Sequence, residues 1–420
     1  MPKRLSSEKK REIDKALIVG VRRAGSSRRQ MELSLAELTR LIDTAGGEVV
    51  AKISQEIKRI DPVTFIGSGK VLEVRELAEA VGADTIVIDD EISPVQNRNL
   101  EKEIGLFVID RTAVILDIFA MRAQTKEGRL QVELAQMEYL APRLVGRGEL
   151  FSQQVGRIGT RGPGETALEY DRRSVRNRIS HLRGQLEGVR KHRRIHRMKR
   201  ESVPIPLVSL VGYTNAGKST LMNALTGAGV FVEDKLFATL DPTVRKLRLP
   251  SGRIVLLADT VGFIRRLPHE LVESFKATFE EVENSYLLLA VVDGSDEEAP
   301  AQLQVVRDVL SELEMSQKPL IEVVNKSDLP SAYRGEKSSI SVSARTGAGV
   351  EELLGEIERV LRIEFRRTTL RLPMERGDIL SKLYSTGHVF KSIYEGDCIL
   401  VECELHQKYY QKYRRYAVNF

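Results

Sequence analysis

Between residues 16 and 110, short apolar runs alternate with stretches of helical period. Ala16 to Val21, Glu48 to Ile53, Thr85 to Ile88 and Leu106 to Ile109 read as buried strands, with helices near 33–44, 69–80 and 94–104. Strands separated by helices in this way imply βαβ units and a parallel sheet. From Thr112 the period lengthens. Leu116, Ala120, Ala123, Leu130, Leu134, Met137 and Ala141 follow a heptad seam interrupted near Glu127 and Gly128. A second seam runs through Val175, Ile179, Leu182, Leu186 and Val189 in steps of four and three. Two such seams joined by a loop predict an antiparallel helical hairpin. Each arm of about 25 residues would project on the order of 35 Å at about 1.5 Å per residue.

Val203-Pro204-Ile205-Pro206 stops this pattern, because two prolines in four residues favour an extended connector. Beyond it lie buried runs at Leu207 to Val211, Ile254 to Ala258, Leu320 to Val324 and Ser339 to Val342, with Pro250-Ser251-Gly252 turning an antiparallel hairpin. After Phe365, Thr369 to Leu372, Gly387 to Ile393 and Asp397 to Leu405 suggest strands of a small α+β unit.

The run Leu207 to Val211 feeds Gly212-Tyr213-Thr214-Asn215-Ala216-Gly217-Lys218-Ser219, a complete GxxxxGKS, followed by Thr220 and the helical Leu221, Met222, Ala224 and Leu225. Gly212 and Gly217 let the backbone curl so that successive N–H groups face phosphate oxygens, and Lys218 reaches the β/γ-phosphates. Ser219 supplies a hydroxyl for Mg2+, and the helix it opens presents the positive end of its dipole. Asn325-Lys326-Ser327-Asp328 follows another buried run and reads as a guanine reader. The Asp328 carboxylate can accept from both the ring N–H and the exocyclic amine, an arrangement adenine does not offer. Lys326 would pack its stem over the ring, and Ser343-Ala344-Arg345 would set a backbone N–H on the guanine carbonyl.

Between these motifs lie two switch elements. Asp259-Thr260-Val261-Gly262 closes a strand, so Asp259 can hold Mg2+ through water and Gly262 can offer its N–H to the γ-phosphate. Thr239, within Leu236-Phe237-Ala238-Thr239-Leu240-Asp241-Pro242-Thr243, would close over the metal while the γ-phosphate is present. Lys218, Thr239 and Gly262 are the candidate catalytic residues, Ser219, Thr239 and Asp259 the candidate metal ligands, and GTP/GDP with Mg2+ the expected cofactors. Phe263 stands where a Ras-type switch carries its water-orienting Gln, and a phenyl ring cannot polarise water, so slow intrinsic hydrolysis is expected unless a partner or another residue orients the nucleophile.

The wording of these motifs, DTVGF and FATLDPT, resembles the HflX family within the Obg and HflX group of translational GTPases. The resemblance extends to Phe65-Ile66-Gly67-Ser68-Gly69-Lys70, Asp110-Arg111-Thr112, Gln131-Val132-Glu133-Leu134-Ala135-Gln136 and Gly159-Thr160-Arg161-Gly162-Pro163-Gly164-Glu165-Thr166. It covers about three quarters of the chain and leaves the final fifty-odd residues unmatched. It implies that residues 143–164 enter the large ribosomal subunit near the peptidyl-transferase centre. It also implies a role in separating stalled ribosomes under stress, and a side activity on ATP in the N-terminal half. Gly67-Ser68-Gly69-Lys70 itself is half a P-loop whose first glycine would fall at Thr64. A tight strand-to-helix turn is the expected reading there.

Charge adds a partner. The chain carries +6, yet residues 205–365 hold 17 Lys/Arg and 24 Asp/Glu, a balance of −7 that leaves +13 on the flanks. Such asymmetry points to a polyanion held outside the nucleotide domain. Residues 143–164 contain six Gly and the four arginines Arg143, Arg147, Arg157 and Arg161 against the single acid Glu149. That composition can order against RNA, with a solvated linker as the alternative. Residues 171–200 hold twelve Lys/Arg and two acids, ending in Arg190, Lys191, Arg193, Arg194, Arg197, Lys199 and Arg200. So dense a run favours ribosomal RNA over a membrane surface, since only Ile195 and Met198 offer apolar contacts after Val189. In the tail, Lys408 to Tyr416 interleaves aromatics with cations, which suits either RNA stacking or packing on a half-buried sheet.

Length sets the domain count at two to four, and 42% hydrophobic content is that of a globular chain. No apolar run approaches 18 residues, so no membrane span is expected, and the N-terminus lacks a signal core, which makes the cytoplasm the expected compartment. Cys398 and Cys403 are the only cysteines and read as reduced, half-buried strand residues. The expected fold is α/β: an N-terminal parallel-sheet α/β domain (1–111) with a long antiparallel helical hairpin (112–200), a central P-loop GTPase domain (201–365) and a small C-terminal α+β domain (366–420). The expected function is a monomeric GTP-hydrolysing switch on the large ribosomal subunit and its rRNA. A GTPase scaffold docking on a protein or membrane, and an RNA-remodelling ATPase working through the N-terminal domain, are the alternatives.

Overall fold

Residues 13–25, 27–143, 167–200, 205–227, 235–266, 268 and 279–418 are described by a computed structural model, with side chains 173–189 of the helix Ala167–Arg200. They gather into two units. The first holds the described residues of Met1–Leu186, Lys235–Phe237 and Arg265–Phe275, the second those of Glu187–Asp234, Ala238–Ile264 and Lys276–Phe420.

In the first unit, β1 (Lys15–Arg23), β2 (Glu48–Ile57), β3 (Thr85–Ile88) and β4 (Phe107–Asp110) form a wholly parallel sheet in the order β2-β1-β3-β4. The connecting helices begin and end where the sequence supplies caps. Ser27 with Gln30, and Ser93 with Gln96, form capping boxes, while Gly82 and Gly105 close two helices in the left-handed region. Leu17, Val19, Ile86 and Ile88 meet Val71, Val74 and Leu100 in the core.

At the C-terminal ends of β3 and β4 the chain fills the crevice with its own charges. Asp110 caps the helix Arg111–Arg122 through the Ala113 N–H and accepts from the Tyr139 hydroxyl at 2.8 Å and Arg143 Nη2 at 2.9 Å. Arg111, almost fully buried, donates to Asp89 at 3.0 Å and to Glu37. Burial raises the Asp110 pKa while Arg143 pulls it down, so the carboxylate depends on that partner.

The first helical seam is divided. The helix Arg111–Arg122 ends at Ala123, and Thr125 then caps a second helix, Lys126–Leu140, its hydroxyl accepting from the Gly128 N–H at 2.9 Å. The sequence placed the interruption at Glu127 and Gly128; the threonine cap sets it a few residues earlier. Along Ala167–Arg200, Leu182 and Leu186 are buried and Val175, Ile179 and Val189 half-buried, as the second seam requires. Arg178 pairs with Glu133, and Arg183 with Glu138 at 2.7 Å.

The second unit contains a six-stranded sheet of β5 (Leu207–Gly212), β6 (Thr243–Arg248), β7 (Ile254–Asp259), β8 (Leu287–Asp293), β9 (Leu320–Asn325) and β10 (Ile340–Ser341), ordered β10-β9-β8-β5-β7-β6. Only β6 runs antiparallel, paired with β7 across the turn at Pro250-Ser251-Gly252. Val208, Leu210, Leu289, Val291 and Val323 pack against Leu221, Leu225, Leu353 and Ile357. Next come β11 (Phe365–Pro373), β12 (Gly387–Glu395) and β13 (Cys398–His406), an antiparallel sheet in the order β11-β13-β12. Leu370, Leu372, Val401 and Leu405 pack there against Ile379, Leu383, Tyr410 and Tyr413. Two tyrosines of the aromatic tail are therefore core residues. Cys398 and Cys403 are free and buried rather than half-buried, and burial pushes the Cys403 thiol up to about 12. Among the described residues, no helix is long and apolar enough to cross a membrane.

Candidate functional site

The site lies at the C-terminal ends of β5, β7, β8 and β9. Gly212, with φ near +155°, leaves β5 so close to β8 that a Cβ would overlap the Val291 carbonyl. Phe263 brackets the start of the loop: its N–H donates to the Gly212 carbonyl at 3.1 Å, and its carbonyl accepts from the Thr214 N–H at 2.8 Å. Asn215 turns the loop with φ +62°, and Ala216 N–H donates back to the Tyr213 carbonyl at 3.3 Å. Gly217 adopts φ +92°, where a Cβ would overlap Asn325 Nδ2. Lys218 opens the helix Lys218–Thr226 and Thr220 lies half-buried in its first turn.

The Lys218 side chain is buried and arches back over the loop, donating to the carbonyls of Gly212 at 3.1 Å and Tyr213 at 2.8 Å. Burial lowers its pKa to about 8, against the pull of Asp259. Gly262 closes the other side. A Cβ there would stand 2.7 Å from Thr214 Cα and 2.9 Å from Lys218 Nζ, so only glycine lets the two segments meet.

Three oxygens converge beside Lys218. Asp259 Oδ2 accepts from Ser219 Oγ at 2.6 Å and from Thr239 Oγ1 at 3.0 Å, and the two hydroxyls are 2.9 Å apart. Asp259 Oδ1 is buried without a hydrogen-bond partner. Burial raises the Asp259 pKa, opposed by Lys218 and the two hydroxyls. One carboxylate with two hydroxyls, all hard oxygens, fits Mg2+ completed by phosphate and water. No cluster of three or more His, Cys, Asp and Glu occurs among the described residues, so a site built on transition-metal donors is not what these side chains offer.

Asn325 joins the phosphate loop to the proposed base-reading loop. Its Nδ2 donates to the Ala216 carbonyl at 2.9 Å, while its Oδ1 accepts from the Ala344 N–H at 3.0 Å. The sequence reading gave the 343–345 loop a backbone N–H for guanine; of these groups, that of Ala344 donates to Asn325. Ser343 Oγ donates to Asp328 Oδ1 at 2.6 Å, which holds the Asp328 pKa low and aims an ionised carboxylate outward. Lys326, at φ +64°, pairs with Asp293 at 2.6 Å. Arg345 is exposed on the same loop.

Phe263 is fully buried and stacks on Phe279 with ring centroids 5.7 Å apart. Its ring anchors the second switch in the core. Sequence reasoning missed Asp293, Phe279 and the strut role of Asn325; the one signal was the polar Asp293 closing the apolar run of β8 ahead of Gly-Ser.

The RNA-contact candidates divide. Arg143 is withdrawn as one, because its guanidinium is spent on Asp110, the Ile92 carbonyl at 2.8 Å and the Tyr139 carbonyl at 3.1 Å, and lies 3.6 Å from the Tyr139 ring centroid. The buried Asp110 needs that counter-charge. Arg147, Arg157 and Arg161 lie outside the described residues. Arg190, Lys191, Arg193, Arg194, Arg197, Lys199 and Arg200 lie on the helix Ala167–Arg200, with side chains outside the described set.

Four family profiles match consecutive parts of the chain. They are described as GTP-binding GTPase N-terminal (residues 32–120), GTP-binding GTPase Middle Region (122–200), 50S ribosome-binding GTPase (207–326) and HflX C-terminal domain (328–415). Among curated relatives, the GTPase HflX of Caldanaerobacter subterraneus subsp. tengcongensis is 46% identical over 410 residues, covering 97% of this chain and 95% of that protein. The GTPase HflX of Escherichia coli (strain K12) is 45% identical over 371 residues, covering 86% and 87%. Of solved structures, a GTP-binding protein from Sulfolobus solfataricus in complex with GDP aligns over 83% of this chain and 98% of its own, at 24% identity and a TM-score of 0.42.

Proposed function

The chain belongs to the HflX family of GTPases and is a GTP-hydrolysing enzyme, and from that premise we propose that it is a Mg2+-dependent switch on the large ribosomal subunit that separates stalled ribosomes under stress. The observation that carries the switch is the convergence of Ser219, Thr239 and Asp259 beside Lys218. Thr239 and Asp259 come from the two segments that flank the β6–β7 hairpin, so whatever stabilises their meeting orders both segments at once.

In this reading the backbone N–H groups of Asn215 and of Gly217 to Thr220 wrap the phosphates, and Lys218 exchanges its loop carbonyls for β/γ oxygens. Ser219 and Thr239 would hold Mg2+, and Asp259 would serve the same ion through water. Bound there, the ion would neutralise charge developing on the phosphates. Gly262 donates its N–H to the γ-phosphate, while Asn325, Lys326, Asp328 and the 343–345 loop hold guanine. Phe263 is committed to the core and leaves water orientation to another group. Turnover is therefore slow in the free protein and rises on the ribosome.

The ribosome enters through the cationic half of the hairpin region, where twelve Lys/Arg lie within residues 171–200. The description of the matching profile as a 50S ribosome-binding GTPase supports the same partner. Phosphate contacts by the arm from Arg190 to Arg200 supply affinity, and the segment that includes Arg147, Arg157 and Arg161 supplies action at the peptidyl-transferase centre. A cytoplasmic monomer is the form proposed.

The test is light scattering of intact ribosomes mixed with protein and a non-hydrolysable GTP analogue. The wild type should split them. A variant with 147–162 replaced by a short Gly/Ser turn should keep GTP affinity and salt-sensitive binding yet lose splitting. Splitting at the normal rate by that variant overturns the assignment of the segment, and absence of any ribosome association overturns the partner.

A further inference from the structure

The turn after β8, Asp293-Gly294-Ser295, does more than end a strand. Asp293 Oδ2 pairs with Lys326 Nζ at 2.6 Å, while Oδ1 accepts from the Ser295 N–H at 3.0 Å and the Ser295 hydroxyl at 2.6 Å. Both carboxylate oxygens are thereby committed. Gly294 N–H donates to the Asn325 carbonyl at 2.9 Å, and the Gly294 carbonyl accepts from Ala332 and Tyr333 N–H groups at 2.8 and 3.0 Å. The turn grips the Asn325-Lys326-Ser327-Asp328 loop on both flanks. Gly294 allows this approach, since a Cβ would stand 2.7 Å from Val324 Cγ1 and 3.0 Å from the Asn325 carbonyl.

Lys326 needs such a grip. Its backbone lies in the left-handed region at φ +64°, which a long side chain occupies only when its surroundings hold it there. Its ammonium ends a four-carbon stem with many rotamers, and an unpaired Lys would sample them all. Resting on the guanine-site reading given above, we propose that Asp293 is a positioning residue for the purine: it pins the Lys326 stem as the surface against which the base lies, and so sets how long the nucleotide stays bound. Asp328 selects the base by hydrogen bonds; Asp293 holds any purine in place through Lys326 and carries no preference among bases.

Stopped-flow fluorescence with N-methylanthraniloyl GDP and GTP on the full-length protein tests this. Asp293→Asn keeps the shape and one acceptor but loses the charge. It should speed release of both nucleotides about tenfold, with kcat at saturating GTP within twofold and the melting temperature of the nucleotide-free protein unchanged. Asp293→Glu should recover most of the slow release, and Ser295→Ala should speed release by a smaller factor. Asp328→Asn, measured beside them, should instead move preference from GTP to xanthosine triphosphate, and adding Asp293→Asn to it should speed xanthosine nucleotide release by the same factor. Unchanged release from Asp293→Asn while Asp328→Asn still switches base preference would sink this inference alone. No switch with Asp328→Asn removes the guanine-site reading beneath it. A fall in melting temperature and kcat together with faster release would make Asp293 a stability residue and overturn its positioning role.

Discussion

Two strand-to-helix turns in this chain carry glycines followed by lysine, and only one is built to hold an anion. At Gly67-Ser68-Gly69-Lys70 the helix Ser68–Val81 starts directly after Gly67, whose N–H is taken by Gln55 Oε1 at 3.1 Å. Lys70 points away to pair with Glu73 at 2.5 Å. At Gly212–Ser219 four residues separate the glycines. That length lets the loop circle a point before the helix begins, with Lys218 buried over it and Gly217 pressed against Asn325. The difference teaches that neither the glycine–lysine pair nor the helix N-terminus makes a phosphate cradle. Loop length and a lysine with nowhere else to go do so.

The largest effect expected from this contrast is at the lysines. Lys218→Ala should lower kcat/KM for GTP at least about 100-fold, equivalent to about 2.7 kcal/mol of transition-state stabilisation. Lys70→Ala should leave it within about twofold, since the i,i+3 pair with Glu73 contributes only a few tenths of a kcal/mol and lies in a different unit from the phosphate loop. Steady-state GTP hydrolysis decides. Equal losses from both would erase the distinction between the turns.

The glycines should differ next. Gly217→Ala places a Cβ on Asn325 Nδ2 at φ +92° and should cost both GTP affinity and about 2 kcal/mol of stability. Gly69 faces open space within a helix, so Gly69→Ala should raise stability by about 0.5–1 kcal/mol with hydrolysis untouched. Urea unfolding of the two variants measures opposite signs. A destabilised Gly69→Ala protein would mean that the first turn has a hidden steric demand.

The smallest effect sharpens the comparison. Gln55→Ala removes the acceptor on the Gly67 N–H and should lower stability by about 1 kcal/mol without changing nucleotide affinity. Measurable nucleotide binding gained at that helix terminus, followed by calorimetry, would contradict a turn filled for structural reasons alone.

Much of this was legible beforehand because the signals were local. The alternation of β1–β4 with helices follows from apolar runs and helical periods that each span a few residues. The phosphate loop was legible for the same reason. Arg143 shows where that stops: its Gly/Arg-rich surroundings suggest RNA, yet an aspartate 33 residues earlier, buried at the end of β4, claims its guanidinium. Nothing near Arg143 in the chain announces Asp110.

The chain order therefore determined the element types, the parallel sheets, the phosphate loop, the proposed base-reading motif and the uneven charge, because each depends on residues close together along the backbone. Tertiary structure alone decided that Phe263 is a core anchor stacked on Phe279, that Asn325 braces the phosphate loop and that Asp293 holds Lys326. Those pairings join residues that are not neighbours along the chain. Their energies come from burial and directed hydrogen bonds at close range, which exist only once the sheet has set the strand ends side by side.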